Sequence, residues 1–426
     1  MTNGTGLNLY QKEWMELKME QKKYKIGLLT AIVIAIVVII ALCVIGTTMI
    51  IINKNNKKDE IKNNIANNTN TLPENKKQNN NIKDIKTELE EIKPTQGVSV
   101  VPTMLDTISS DTSWCGTFQL VWNDMKNELI KKDVEFNPQI DMVKNLNKED
   151  FNEKMLSEDY YFKIWGIKSL ALKEKIEKGI KEKFNQTSDI IEDFDWSDNG
   201  LDNPNNSYIR RYFFYTMLYR KFDYLTKFDK LEKGVFGKNY KDIEYFGINN
   251  NTKEKVGNQI DILYYNSKDD FAIVVNTKTD DEVIFCKNPK GDTFNKIYDN
   301  MNNEAKNYKG SKSFKDKDEF KAPNLKFNVK REYKEFENKP FKTANNDIAE
   351  IEKAIQTIKF SLDEKGGEIK SEAAIDMRVT SALPTPIEND EPRYFYVDDI
   401  FAIFLREKGK EKPYFAGRIE DITKFQ

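Results

Sequence analysis

The run IGLLTAIVIAIVVIIALCVIGTTMIII, Ile26 to Ile52, carries no charged residue. It separates whatever precedes it from whatever folds after it. It is long enough to cross a bilayer with some tilt. It exceeds the apolar region of an ordinary signal peptide, and no clear small-residue cleavage site follows. The run therefore reads as an uncleaved single-pass transmembrane helix. Lys12, Lys18, Lys22, Lys23 and Lys25 precede it, and Lys54, Lys57, Lys58 and Lys62 follow, so the positive-inside bias is slight. Residues 1–25 are expected to be a short cytoplasmic segment, with the large C-terminal part outside the cell, held at the cell membrane.

Residues 53–97 are rich in Asn and Lys and free of aromatic side chains. Such a stretch buries too little apolar surface to offset its ordering entropy. It is expected to be a disordered polar stalk, with a short helix around IKDIKTELEEI. Residues 98–426 form the expected folded ectodomain, with hydrophobic residues at 39% of the whole chain and 26 phenylalanines available to a core. WCGTFQLVWNDMKNEL, Trp114 to Leu129, reads as an amphipathic helix burying Phe118, Val121, Trp122 and Met125. LALKEKIEKGIKEKF places Leu172, Ile176, Ile180 and Phe184 four apart on one helical face. DILYYNS, DDFAIVVNTK and DEVIFCK, joined by short polar links, read as a meander, and a helix follows around Phe294 to Ala305. Helices lead and strands dominate later, so the class is α+β.

The 67 basic and 69 acidic residues are interspersed and leave a net charge of −2. No basic stripe points to nucleic acid. There is no histidine, which removes Ser-His-Asp and Cys-His catalysis and the commonest metal ligand. DFDWSDNGLD supplies Asp193, Asp195, Asp198 and Asp202 but fails the EF-hand spacing, with Asp198 at the sixth position and Pro204 at the twelfth. No glycine-rich phosphate loop is present. The chain is not expected to be an enzyme or to carry a metal or cofactor. Cys43, Cys115 and Cys286 are too far apart for a zinc motif. Cys115 and Cys286 read as two separate buried thiols, with one disulfide between them as the alternative in an exported domain.

The segment LDEKGGEIKSEAAIDMRVTSALP, Leu362 to Pro384, alternates from Gly367. Gly367, Ile369, Ser371, Ala373, Ile375, Met377 and Val379 are small or apolar, and Glu368, Lys370, Glu372, Ala374, Asp376 and Arg378 stand between them. Period two marks a strand with one buried and one wet face. Gly366-Gly367 at one end, and Pro384 and Pro386 at the other, mark a loop. Both readings stay open on the pattern alone.

The residues around this segment resemble the serpin family, in the manner of a divergent, membrane-anchored bacterial-type member. IKFSLDEKGGE is similar to the serpin strand and hinge, with Asp363, Glu364, Lys365, Gly366 and Glu368 in place and Gly367 where Thr or Ser is usual. YFYVDDIFAIFLREKGKEKPYFAGRIEDI resembles the C-terminal strands of the family through Asp399, Phe401, Phe404, Arg406, Phe415, Gly417 and Arg418. FKAPNLKFNVKREY resembles the Pro-x-Phe strand that precedes a late helix, with Phe327 as the aromatic. ILYYNSKDDFAIVVNTK carries Tyr264, Tyr265 and Asp270. MLYRKFDYLTKF matches an aromatic-Lys-x-x-Trp-x-x-x-Phe segment through Tyr219, Arg220 and Phe228, without the Trp. The similarity covers roughly residues 215–425.

The resemblance implies a serpin-like ectodomain of helices and several mostly antiparallel sheets, inhibiting a serine or cysteine protease outside the cell. The target would attack an exposed reactive loop, which would then insert as a central strand. The hinge would be Glu364, Gly366, Gly367, Glu368, Ile369, Lys370 and Ser371. The attacked bond would be Thr380-Ser381, or Arg378-Val379 for a trypsin-like partner. Burying Ile369, Ile375, Met377 and Val379 would contribute roughly 6–12 kcal/mol, comparable to the stability of an ordinary domain. The family's run of small residues after Glu368 is replaced by Ile369, Lys370, Ser371 and Glu372. Insertion is therefore expected to be slowed by the bulk of Ile369. The alternative function is a non-inhibitory serpin-like, or other, surface protein that binds a partner.

Overall fold

The computed structural model describes residues 88–197, 211–249, 256–371 and 391–426, all within one compact unit, Asp84–Gln426. The apolar run from Ile26 to Ile52, Cys43, and the stalk up to residue 87 lie outside the described residues. Among the described residues no helix is long and apolar enough to cross a membrane.

Three sheets make the architecture. The first has seven strands in the order β1 (Ser99–Val100), β2 (Thr112–Cys115), β20 (Phe415–Ile419), β19 (Phe401–Glu407), β11 (Asp281–Lys287), β10 (Asp270–Asn276), β9 (Ile260–Ser267). The second has five, in the order β13 (Leu325–Glu332), β16 (Ile355–Leu362), β17 (Gly366–Ser371), β4 (Tyr212–Asp223), β3 (Tyr161–Ile167). The third has four: β18 (Tyr394–Tyr396), β12 (Glu319–Pro323), β8 (Tyr245–Gly247), β5 (Asp229–Lys230). Two ribbons, β6 (Gly234–Phe236) with β7 (Tyr240–Ile243) and β14 (Phe341–Lys342) with β15 (Ile348–Ala349), complete the strands. Only β1–β2 and β12–β18 are parallel among the described pairs. The fold is α+β with several mostly antiparallel sheets, and β9, β10 and β11 form the meander their short links require.

The five-stranded and seven-stranded sheets meet face to face. Phe360 of β16 stacks on Phe415 of β20 with ring centroids 4.9 Å apart, and Phe327 of β13 lies 6.2 Å from the same ring. Ile369, Ile273, Phe285 and Phe404 join them in one buried cluster. The opposite face of β4 is covered by α3 (Leu170–Phe184), whose Leu172, Ile176 and Ile180 pack with Phe213, Tyr215 and Met217. That helix starts where the Ser169 hydroxyl accepts from Leu172 N and stops at Asn185 in the left-handed conformation, both ordinary cap solutions. α4 (Phe294–Asn307) is capped likewise by Thr293.

Three sequence expectations are corrected. The predicted helix from Trp114 begins as strand β2, becomes α1 (Thr117–Asp124), and finishes as a π-turn, Met125–Ile130. Phe118 and Trp122 are buried as predicted, but Val121 and Met125 are only half-buried. α2 (Asp141–Leu146) packs Val143 and Leu146 into the same cluster as Phe118 and Trp122. The late helix implied after β13 is absent, and residues 333–354 form turns and the β14–β15 ribbon instead. Residues 88–97 are packed rather than part of a disordered stalk. A single 3-10 turn, Glu88–Glu91, lies against β16 and β17 with Leu89 at 1% exposure. Asn328 of β13 exchanges two hydrogen bonds with Thr95. Leucine burial and edge pairing outweigh the polar composition there.

Candidate functional site

The segment expected to be hinge and loop is already a strand up to Ser371. β17 is antiparallel to β16 on one side and to β4 on the other, with Ile369 opposite Phe360 and Arg220, and Ser371 opposite Ile358 and Leu218. It follows β16 through the turn Asp363–Lys365, closed by Asp363 N donating to Gly366 O at 3.0 Å. Gly366 has no room for a side chain, because a Cβ would stand 2.0 Å from Phe222 O. At Gly367 the Phe222 ring would lie 2.5 Å from the added carbon. Either position would lose this close packing if it carried a side chain.

The wet face predicted for this strand is not wet. Glu368 and Lys370 are 3% exposed, because the chain leaving α3 covers them. Lys370 Nζ donates to Thr187 O at 2.7 Å and lies 2.9 Å from Asp189, which also holds Lys359 of β16 at 2.8 Å. Glu368 accepts from Tyr219 Oη at 2.6 Å, with Lys221 at 3.6 Å, and Tyr219 packs on Phe184 at the end of α3. Glu364, in the turn, is 1% exposed and sits 3.3 Å from Lys227 and 3.8 Å from Lys230. These charges tolerate burial because each has a partner. Ile369 is fully buried in the main cluster, so its bulk has a fitted place in the strand.

At its last described residue β17 is fixed from below. Ser371 Oγ lies 2.8 Å from Thr117 Oγ1 and donates to Thr357 O at 3.0 Å. Gln356 Nε2 donates to Thr117 Oγ1 and to Cys115 O, both at 3.0 Å, and Tyr333 Oη donates to Gln356 Oε1 at 2.7 Å. Burial holds the Cys115 thiol above its usual pKa, and hydrogen bonds from Ser371 and Thr117 oppose that. Cys286 is the second buried free thiol, 3.6 Å from Tyr264 Oη, so the disulfide alternative does not form.

β16 and β4 both run on past Ser371. Ile355–Thr357 of the first and Tyr212–Met217 of the second are joined by no ladder to one another among the described residues. The Thr216 hydroxyl there is buried without a hydrogen-bond partner among those residues.

Beneath the strand, Arg220 crosses to the seven-stranded sheet. It lies 2.6 Å from Asp281 at the start of β11 and 3.4 Å from Glu407 at the end of β19, all three buried. Tyr414 Oη donates to Asp281 at 2.8 Å, and the Tyr160 ring stacks 3.6 Å from the guanidinium. Arg220 and Tyr219, picked out by their place in MLYRKFDYLTKF, thus stand beside the expected hinge. Thr117, Asp189, Gln356 and Tyr333 were missed. They come from distant segments, and no local pattern marks them. The reactive-bond candidates Arg378, Val379, Thr380 and Ser381 lie outside the described residues. Among the described residues no group of His, Cys, Asp and Glu side chains is arranged to hold a metal ion.

No protein-family model matches the sequence, and no curated protein matches it. Solved structures similar to this one are serpins. Cleaved Serpin 42Da is 12% identical with a TM-score of 0.35, over 59% of this chain and 64% of that one. The chain thus spans less than two thirds of that relative's length. Serpin48 of the insect Tenebrio molitor is 13% identical with a TM-score of 0.37, over 73% of this chain and 92% of that one. Mouse protein-Z dependent protease inhibitor is 14% identical with a TM-score of 0.42, over 73% and 91%.

Proposed function

We propose that this chain is a serpin-like protease inhibitor, anchored through Ile26 to Ile52 with residues 88–426 outside the cell. It would act by presenting the residues between Ser371 and β18 to a serine or cysteine protease. One observation carries the reading: β17, the segment expected to lead into the loop, stands between β16 and β4, antiparallel to both. A protease cutting at Thr380-Ser381, or at Arg378-Val379 if trypsin-like, would free the chain after Ser371 to extend this ladder. The strand would gain backbone hydrogen bonds and bury Ile375 and Met377, and also Val379 where the cut falls at Thr380-Ser381, about 1.5–3 kcal/mol each. The chain itself supplies no catalytic group.

The test is limited proteolysis of the full chain followed by thermal and denaturant unfolding. Cleavage is expected between Asp376 and Leu383, and the nicked protein is expected to unfold at a higher midpoint than the intact one. Several kcal/mol corresponds to a shift of many degrees, even in a sizeable domain. Cleavage there without a gain in stability removes the insertion mechanism.

A second reading has its own support. Lys370 is tied to Asp189 and Thr187, and Ser371 to Thr117 and Thr357, which suits a fixed strand in a non-inhibitory partner-binding protein. A protease panel separates the two readings. A protease complex surviving denaturing electrophoresis favours inhibition, and cleavage with full protease activity favours the binding protein.

A further inference from the structure

Residues 88–97 run along the five-stranded sheet before the first strand begins. The turn Glu88–Glu91 lies against β16 and β17, with Leu89 buried. Thr95 N donates to Asn328 O at 2.7 Å, Asn328 N donates back to Thr95 Oγ1 at 3.1 Å, and Asn328 Nδ2 donates to Ile92 O at 3.0 Å. Lys424 Nζ then reaches Gly97 O at 3.2 Å, and Ser99 opens β1 at the edge of the seven-stranded sheet. The connection from β1 is therefore anchored at Gly97, Thr95, Ile92 and Leu89, and its far end rests on the central strand of the five-stranded sheet.

We propose that residues 88–95 form a strap that holds β17 in the sheet, so that peeling the strap from β13 and β16 releases the strand. The turn buries a leucine against β16 and β17, while the Thr95–Asn328 exchange fixes where the turn can sit. Loss of either contact loosens β17 without touching its own residues. The strap is continuous in sequence with residues 53–87, so a load or a partner acting on that segment would reach β17 directly. The strap would make the N-terminal segment a regulator of the strand assigned above as hinge. This functional meaning rests on the proposed function; the mechanical coupling does not.

Amide hydrogen exchange on the full chain in detergent tests the strap without any protease. Two variants are compared with the parent: Leu89→Ala, which shortens the buried side chain, and Thr95→Pro, which removes both the N–H and the hydroxyl that pair with Asn328. Each is expected to raise exchange in 366–371 about tenfold, the change that corresponds to ~1.4 kcal/mol of local opening. Peptides from β10 and β11 should keep their parent rates. Unchanged exchange in 366–371 overturns the proposal, and so does an equal rise in β10 and β11, which would mean a general loss of stability. Leu89→Ala leaves the Thr95 pairing intact, so it reports even if Thr95→Pro does not fold. A strap effect without stabilisation on nicking would keep this inference and discard the inhibitor. Stabilisation without a strap effect would do the reverse.

Discussion

A single carbon added at Gly366 would stand 2.0 Å from the carbonyl oxygen of Phe222 and 2.8 Å from the Cα of Asp223. Both are backbone atoms of β4 and cannot rotate aside. Gly366→Ala is therefore expected to destabilise the domain by about 1–3 kcal/mol through overpacking, measured as a lower denaturant midpoint. Gly367→Thr, which would install the residue usual in the resemblance, meets the Phe222 ring instead and should also lower the midpoint. A neutral result at Gly366 would mean that β17 and β4 stand further apart than described. The cysteines give a second check at this scale. Burial pushes the Cys286 thiol up to about 12 and raises Cys115 as well. A raised thiol pKa leaves less thiolate near neutral pH, and the thiolate is the reactive form. Mass spectrometry after alkylation at pH 8 should find both unlabelled in the folded chain and labelled once it is unfolded.

Between the two large sheets the decisive element is the charge group under β4. Arg220, Asp281 and Glu407 come from strands β4, β11 and β19, so one side chain couples the sheet that holds β17 to the sheet beneath it. Asp281→Asn keeps the shape but leaves the guanidinium with only the more distant Glu407. Removing one partner of a buried pair costs about 3–5 kcal/mol, and a loss of that order is expected in equilibrium unfolding. A loss below the size of a surface pair would mean that water reaches Arg220. The strand pattern was legible at this scale. The meander, α3, α4 and the Phe401–Ile419 hairpin follow from periodicity and turn residues, whereas the period-two run from Gly367 left strand and loop both open. What period two could not show was a lid. Glu368 and Lys370 look like a solvated face because charge usually means water, and their partners at Thr187, Asp189 and Tyr219 come from distant segments. The change from strand to helix at Gly116 was hidden for a similar reason: a Cβ there would strike the Phe151 ring at 2.1 Å, and nothing near Gly116 in sequence announces it.

For the whole molecule, composition placed the start of the folded part ten residues late. Leu89 and Thr95 sit in a stretch of Glu, Lys, Pro and Gln, and two buried contacts do not shift a compositional average. A chain starting at Glu88 is expected to unfold cooperatively at a higher midpoint than one starting at Val98, which lacks the Thr95–Asn328 exchange and the buried leucine. Equal midpoints would return residues 88–97 to the stalk. The order of the seven-stranded sheet carries a further consequence. β19 and β20, residues 401–419, stand in its middle, with β2 on one side and β11 on the other. During synthesis the two halves of that sheet emerge first and have nothing to join them. Each shows an open strand edge, the kind of surface that pairs with other chains, until residues 401–419 leave the ribosome. Because domains are completed as the chain emerges, a nascent chain stalled near residue 400 should aggregate or engage a holdase chaperone. One stalled far enough past residue 426 to clear the exit tunnel should close the sheet and resist protease.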